Sequence, residues 1–100
     1  MMKHIVMWKL KEEHNGKNKA EIAIYLKEML ENLTNLIPEI KQLNVYSNIP
    51  SYISDNDLIL ISEFCDFSDL EKYIIHPEHQ KVVPIVKEYV ISRNCVDYEF

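Results

Sequence analysis

Lys3-His4-Ile5-Val6-Met7-Trp8-Lys9-Leu10-Lys11, near the start of the chain, is the stretch that decides the fold. Successive side chains of a strand point to opposite faces. His4, Val6, Trp8 and Leu10 therefore share one face, and Lys3, Ile5, Met7 and Lys9 share the other. Both faces carry apolar residues. Leu58 to Cys65 repeats the pattern, with Leu58 and Leu60 opposing Ile59 and Ile61. An antiparallel sheet covered by helices on one side should be polar on the other. These two strands need cover from both directions.

The rest of the chain supplies one of those covers. Glu12 to Lys17, with Asn15-Gly16 inside it, reads as a turn. Asn18 and Glu21 have capping-box spacing for a helix start. Ala20, Ala23, Leu26, Leu30, Leu33 and Ile37 then recur at three and four residues, widened by Ile22, Tyr25 and Met29. Pro38 ends that helix, because the residue before a proline is pushed out of helical geometry. Glu39 to Asn48 reads as a second strand, Ile49 to Asp57 as a polar loop, and Leu58 to Cys65 as a third strand. Ser68-x-x-Glu71 is a second capping box, opening a short helix through Leu70, Tyr73 and Ile74. Pro77 suits the first position of another helix, whose buried side is Val82, Val83, Ile85, Val86, Tyr89 and Val90. Pro84 in its middle predicts a break or kink. Ile91 to Phe100 closes the chain as a fourth strand, with Val96, Tyr98 and Phe100 on one face.

The order β-α-β-β-α-β over residues 1–100 is that of one α+β domain, a ferredoxin-like split βαβ sheet with the first strand between the third and fourth. The helices cover one face of that sheet. A second copy most simply covers the other, which predicts a homodimer whose two sheets enclose a barrel.

Composition narrows the function classes. The chain has 100 residues, 47% of them hydrophobic, and a net charge of −5. Its basic residues are ten lysines and Arg93, scattered along the chain. Nucleic-acid binders carry a basic stripe, and anionic membranes attract one, so neither partner is expected. The longest apolar runs are too short to span a bilayer, and the N-terminus enters a strand pattern with no secretory signal. Cys65 and Cys95 lack CxxC spacing and read as two reduced core thiols in a cytoplasmic protein. On strands separated by the first one they would sit about 9–10 Å apart, too far for a disulfide. The excess of Asn, Ile and Lys suggests an AT-rich, bacterial genome.

The densest chemistry lies in Tyr73-Ile74-Ile75-His76-Pro77-Glu78-His79. His79 falls in the first turn of a helix, where the dipole disfavours imidazolium and leaves a neutral base. With Tyr73 as hydrogen-bonding partner it could move a proton, and His4 could face the same space. The same residues also admit a structural reading. In it His76 or its backbone is a helix cap, His79 bonds a strand carbonyl, and Tyr73 is a core aromatic with its hydroxyl at the rim. A zinc site from His4, His76 and His79 is disfavoured, since no Cys or carboxylate has ligand spacing beside them. Asp55, Asp57, Asp66 and Asp69 do not match a calcium loop. Gly-rich phosphate loops and hydrolase or metalloprotease signatures do not occur, and no cofactor is expected.

Four segments together resemble the stress-responsive dimeric A/B-barrel (Dabb) family: His4 to Lys11, Asn35 to Ile40, Tyr73 to His79, and Val96 to Phe100. The HPxH run is the most specific of them. The resemblance implies a homodimeric barrel with a pocket between sheet and helices in each protomer, suited to a small apolar or aromatic carbonyl ligand. A plant polyketide cyclase of the family is similar through the HPxH run, and its base and tyrosine partner correspond to His79 and Tyr73, with His4 matching a nearby histidine. That likeness implies aldol-type proton transfer. Other members have no assigned reaction, which keeps open a non-catalytic binding or stress-response dimer. Some members hold a cation with backbone carbonyls, here corresponding to Leu33, Leu36, Ile37 and Glu39. Antibiotic-biosynthesis-type monooxygenases are similar too, but lack as good a match to the HPxH run.

Overall fold

The computed structural model describes residues 1–49 and 54–100; the expected loop at Ile49 to Asp57 therefore lies partly outside the described residues. Strand β1 spans Met2–Leu10. A tight hairpin follows, β2 (Glu13–His14) and β3 (Lys17–Asn18). Asn15 and Gly16 take φ of 50° and 76° between them, the left-handed pair that a two-residue hairpin turn demands. Helix α1 runs Lys19–Glu31, capped reciprocally by Asn18 and Glu21 as the sequence predicts. It passes into a 3-10 turn at Asn32–Asn35 and so ends before Pro38. Strand β4 is Gln42–Ser47 and β5 is Leu58–Phe64.

Helix α2 (Phe67–Ile75) departs from the expected cap. Asp66, not Ser68, accepts the Asp69 N–H at 2.8 Å. Both are good caps, but Asp66 is the residue left extended where β5 ends. Helix α3 runs unbroken over Pro77–Tyr89, with Pro84 inside it. Pro84 and Gln80, whose carbonyl loses its partner, are both exposed, so water can satisfy that carbonyl and the break is avoided. Strand β6 (Val90–Glu99) completes a four-stranded antiparallel sheet in the order β4-β5-β1-β6. This is the ferredoxin-like α+β fold, with the first strand central as expected.

Packing follows the alternation in β1. Met2, His4, Val6, Trp8 and Leu10 are all buried against the helices. They meet Ile22, Leu26 and Leu30 of α1, Leu70 and Tyr73 of α2, and Val82, Val86 and Tyr89 of α3 in one core. Each such aliphatic side chain contributes about 2 kcal/mol by leaving water. Asp57 fastens the end of β1 to this core. Its carboxylate accepts the Leu10 N–H at 2.9 Å and lies 3.3 Å from the Lys19 ammonium.

Among the described residues, no helix covers the opposite, apolar face. Ile5, Met7, Ile59 and Ile61 are only partly buried there. Val96 and Tyr98 of β6 stand beside them, 48% and 43% exposed.

The cysteines need correcting. Both are free, but neither is a core residue: Cys65 and Cys95 are exposed. Cys65 lies just past the last residue of β5, and Cys95 belongs to edge strand β6.

Candidate functional site: a pocket between sheet and helices

A cavity of about 350 Å³ opens between β1, β6 and the α2–α3 pair. Its floor is apolar, built from Val6, Trp8, Leu60, Val82 and Val86 among others. Polar side chains line it from four elements, β1, α2, α3 and β6. His4 rises from β1, Tyr73 from α2 and His79 from α3, and all three line the cavity.

The His76-Pro77 step creates this meeting. His76 ends α2 and caps α3, with extended backbone (φ −59°, ψ 136°) as a residue before proline prefers. Its Nδ1 accepts the Glu78 N–H at 3.1 Å, so its side chain is occupied in starting the helix. The bend between the helices brings His79 back over Tyr73, their rings 4.5 Å apart. Tyr73 in turn stands edge-on to His4 at 6.0 Å and tilts against Phe64 at 5.1 Å. The three residues singled out from the sequence are brought together, and His76 is the cap.

Protonation states follow from burial. His79 Nδ1 lies 2.9 Å from the Ile74 carbonyl, which can only accept, so Nδ1 carries the proton. Nε2 is then a free acceptor. Burial is the main force lowering the His79 pKa; the Ile74 bond opposes it, and His4, Arg93 and His76 add to it. The neutral imidazole expected from the sequence thus arises first from desolvation, not from the helix dipole. Tyr73 is 1% exposed, and burial drives its pKa far up against the weaker opposing pull of Arg93. It stays a phenol and can only donate or accept a hydrogen bond. Its hydroxyl has no hydrogen-bond partner among the described residues.

His4 is 5% exposed and is held by Asp97 across the β1–β6 pair, Nδ1 against Oδ1. The Cys95 thiol lies 3.8 Å from both. Sequence spacing could not reveal these neighbours of His4, because 91 and 93 residues separate it from residues on the adjacent strand. His4, Cys95 and Asp97 could offer a metal three donor atoms, all within 4.8 Å of one another. A tetrahedral zinc site needs a fourth. Partial burial, and then the Asp97 carboxylate, push the Cys95 thiol pKa up, against the opposing pull of Arg93.

Sequence reasoning also missed Arg93 and Lys87, which line the same cavity. Arg93 pairs with Trp8 in the β1–β6 register and so shares the pocket face. Following the alternation of β6 back from Asp97 through Cys95 would have found it. The carbonyls matched to a cation are in the turn after α1. Leu33 O already accepts the Leu36 and Ile37 N–H groups at 3.0 and 2.9 Å, and Ile37 O accepts that of Ile40 at 3.3 Å.

The described part of the chain has no helix long and apolar enough to cross a membrane. A search of curated proteins finds no match. Among solved structures, a dimeric protein of unknown function and ferredoxin-like fold from Bacteroides fragilis is 35% identical, with a TM-score of 0.85 over 99% of this chain and 95% of that one. A protein of Arabidopsis thaliana is 24% identical, with a TM-score of 0.82 over 100% and 95% of the two chains. A hydroxynitrile lyase of Passiflora edulis is 16% identical, with a TM-score of 0.79 over 97% and 90%. The last two likenesses speak for the fold alone. The stress responsive A/B barrel domain matches residues 2–100, and the chain belongs to that family.

Proposed function

We propose that this protein is a homodimeric small-molecule enzyme that moves a proton on a carbonyl compound, the step underlying aldol-type cyclisation. One observation carries the reading. A neutral imidazole with an open Nε2 stands 4.5 Å, ring to ring, from a phenol whose hydroxyl has no partner among the described residues, and both line an apolar cavity. His79 Nε2 takes the proton from the carbon next to the carbonyl. The C–H electrons move to the carbonyl oxygen, and the Tyr73 hydroxyl donates to the developing enolate. His4, fixed by Asp97, bounds the pocket beside Tyr73.

The dimer is supported by the apolar sheet face that no helix covers among the described residues and by the Bacteroides fragilis protein, described as dimeric. The free thiols of Cys65 and Cys95 support a cytoplasmic setting. A cation on the carbonyls of Leu33, Leu36, Ile37 and Glu39 rests on family likeness. It would compete with two N–H groups for Leu33 O, so a chelator should leave the melting temperature unchanged if those N–H groups prevail.

Deuterium incorporation next to the carbonyl of small aryl ketones and aryl keto acids in D₂O tests the proton transfer. The wild type should accelerate it, His79→Ala should abolish the acceleration, and Tyr73→Phe should reduce it. No acceleration across such compounds, or full acceleration by His79→Ala, contradicts the reading. A second reading, a non-catalytic binding dimer, has its own support in the bonds that already occupy Nδ1 of both His76 and His79. It predicts ligand binding without exchange.

A further inference from the structure

The charge inside the pocket runs opposite to that of the protein. The chain carries 16 acidic and 11 basic residues, for a net charge of −5. Yet Arg93 and Lys87 both line the cavity, and among the described residues no carboxylate does. Neither cation is within ion-pair distance of a carboxylate among the described residues, whereas Lys19, Lys27, Lys72 and Lys81 each are. Asp97, on the same face of β6 as Arg93, is engaged with His4. Arg93 bears on the working end of the pocket, because its charge acts on both Tyr73 and His79.

Arg93 touches the Cys95 thiol but has no carboxylate partner among the described residues, and a guanidinium so placed in the wall of an apolar cavity is matched by a planar anion, which it can bind through two parallel N–H···O bonds. A phosphate would ask for more donors, such as a backbone nest, and the cavity wall provides none that the sequence marks. At about 350 Å³ the cavity is at the small end of ligand sites.

We infer that the pocket takes a small aromatic or branched apolar carboxylate, its acid group held by Arg93 and Lys87 and its apolar body against Trp8, Val82 and Val86. This rests on the proposed function in one respect only: it names the class of carbonyl compound, a keto acid, that the same site would accept. The carboxylate anchors the ligand at the β6 side while the carbonyl meets Tyr73.

Binding of phenylacetate and of its neutral isostere phenylacetamide to the intact protein, followed by NMR titration, tests the inference. Phenylacetate should bind about tenfold tighter or more, the scale of a charge-assisted hydrogen bond. Arg93→Gln should remove that preference, Lys87→Gln should narrow it, and added salt should weaken the acid but not the amide. Equal binding of the two, an unchanged preference in Arg93→Gln, or no binding of phenylacetate at millimolar concentration overturns the inference. Circular dichroism of Arg93→Gln ensures that a lost preference is read in folded protein, and Arg93→Lys, which keeps the charge but not the fork, should restore it partly. His79→Ala separates the two readings. Preference retained without proton exchange in the wild type fails the catalytic reading alone, and exchange without preference fails this one alone.

Discussion

Strand β1 has two faces one residue apart, and they meet opposite fates. Met2, His4, Val6, Trp8 and Leu10 are closed off by the protomer's own helices, whereas Ile5 and Met7 stay half open. Both faces are apolar enough to drive burial. Among the described residues, only the first is covered by helices, and the polar residues that line the cavity stand on that face. The contrast teaches where a small fold can place a site. The helix-covered face tolerates His4 because Asp97 satisfies its ring and the helices leave a cavity beside it. The open face bears no such cluster, and its apolar side chains suit contact with a second copy.

The comparison can be broken by substitutions on either side of it. The largest effect belongs to the closed face. Leu10 is fully buried, so Leu10→Ala should cost about 3 kcal/mol of protomer stability in denaturant titrations, with no change of interface chemistry. Met7→Glu puts a charge on the open face and should weaken association by about 2 kcal/mol or more while leaving secondary structure intact. Sedimentation velocity of wild type and variant at micromolar concentration reads it. A wild type that is already a stable monomer would end the account of this face. His76→Ala should cost about 1 kcal/mol, the scale of a lost helix cap, and leave ligand binding as it was.

The smallest effect is a pH dependence. His79 has its pKa lowered on folding, chiefly by burial, so the unfolded chain binds that proton more readily. The stability linked to His79 is therefore complete above the unfolded value of about 6.5 and falls as the pH drops through it towards the lower folded one. Denaturant midpoints between pH 7.5 and 5 should show a steeper acid loss for wild type than for His79→Ala. Equal slopes would mean that His79 is not desolvated.

Most of the fold was legible because it rests on local patterns. The Asn18–Glu21 box, the Asn15-Gly16 turn and the two-faced strands each state their structure within a few residues. The cap of α2 was misplaced because Asp66 and Ser68 are both good caps and only the end of β5 chooses between them. Pro84 does not break α3, because its cost depends on whether water reaches the Gln80 carbonyl. In the site, Tyr73, His76 and His79 were legible because one short run, Tyr73 to His79, holds them. Asp97, Cys95, Arg93 and Lys87 were not, since their meeting with His4 and the pocket depends on sheet register and helix rotation, which no local spacing records.

The account rests most on His79 being a neutral base with Nδ1 protonated and Nε2 open to the pocket. Nitrogen-15 NMR of the histidine side chains across a pH titration observes this directly. The account predicts that His79 titrates below the ordinary histidine value and, above it, shows the tautomer with the proton on Nδ1. A His79 that titrates above 6.5, or that carries its proton on Nε2 when neutral, would contradict it.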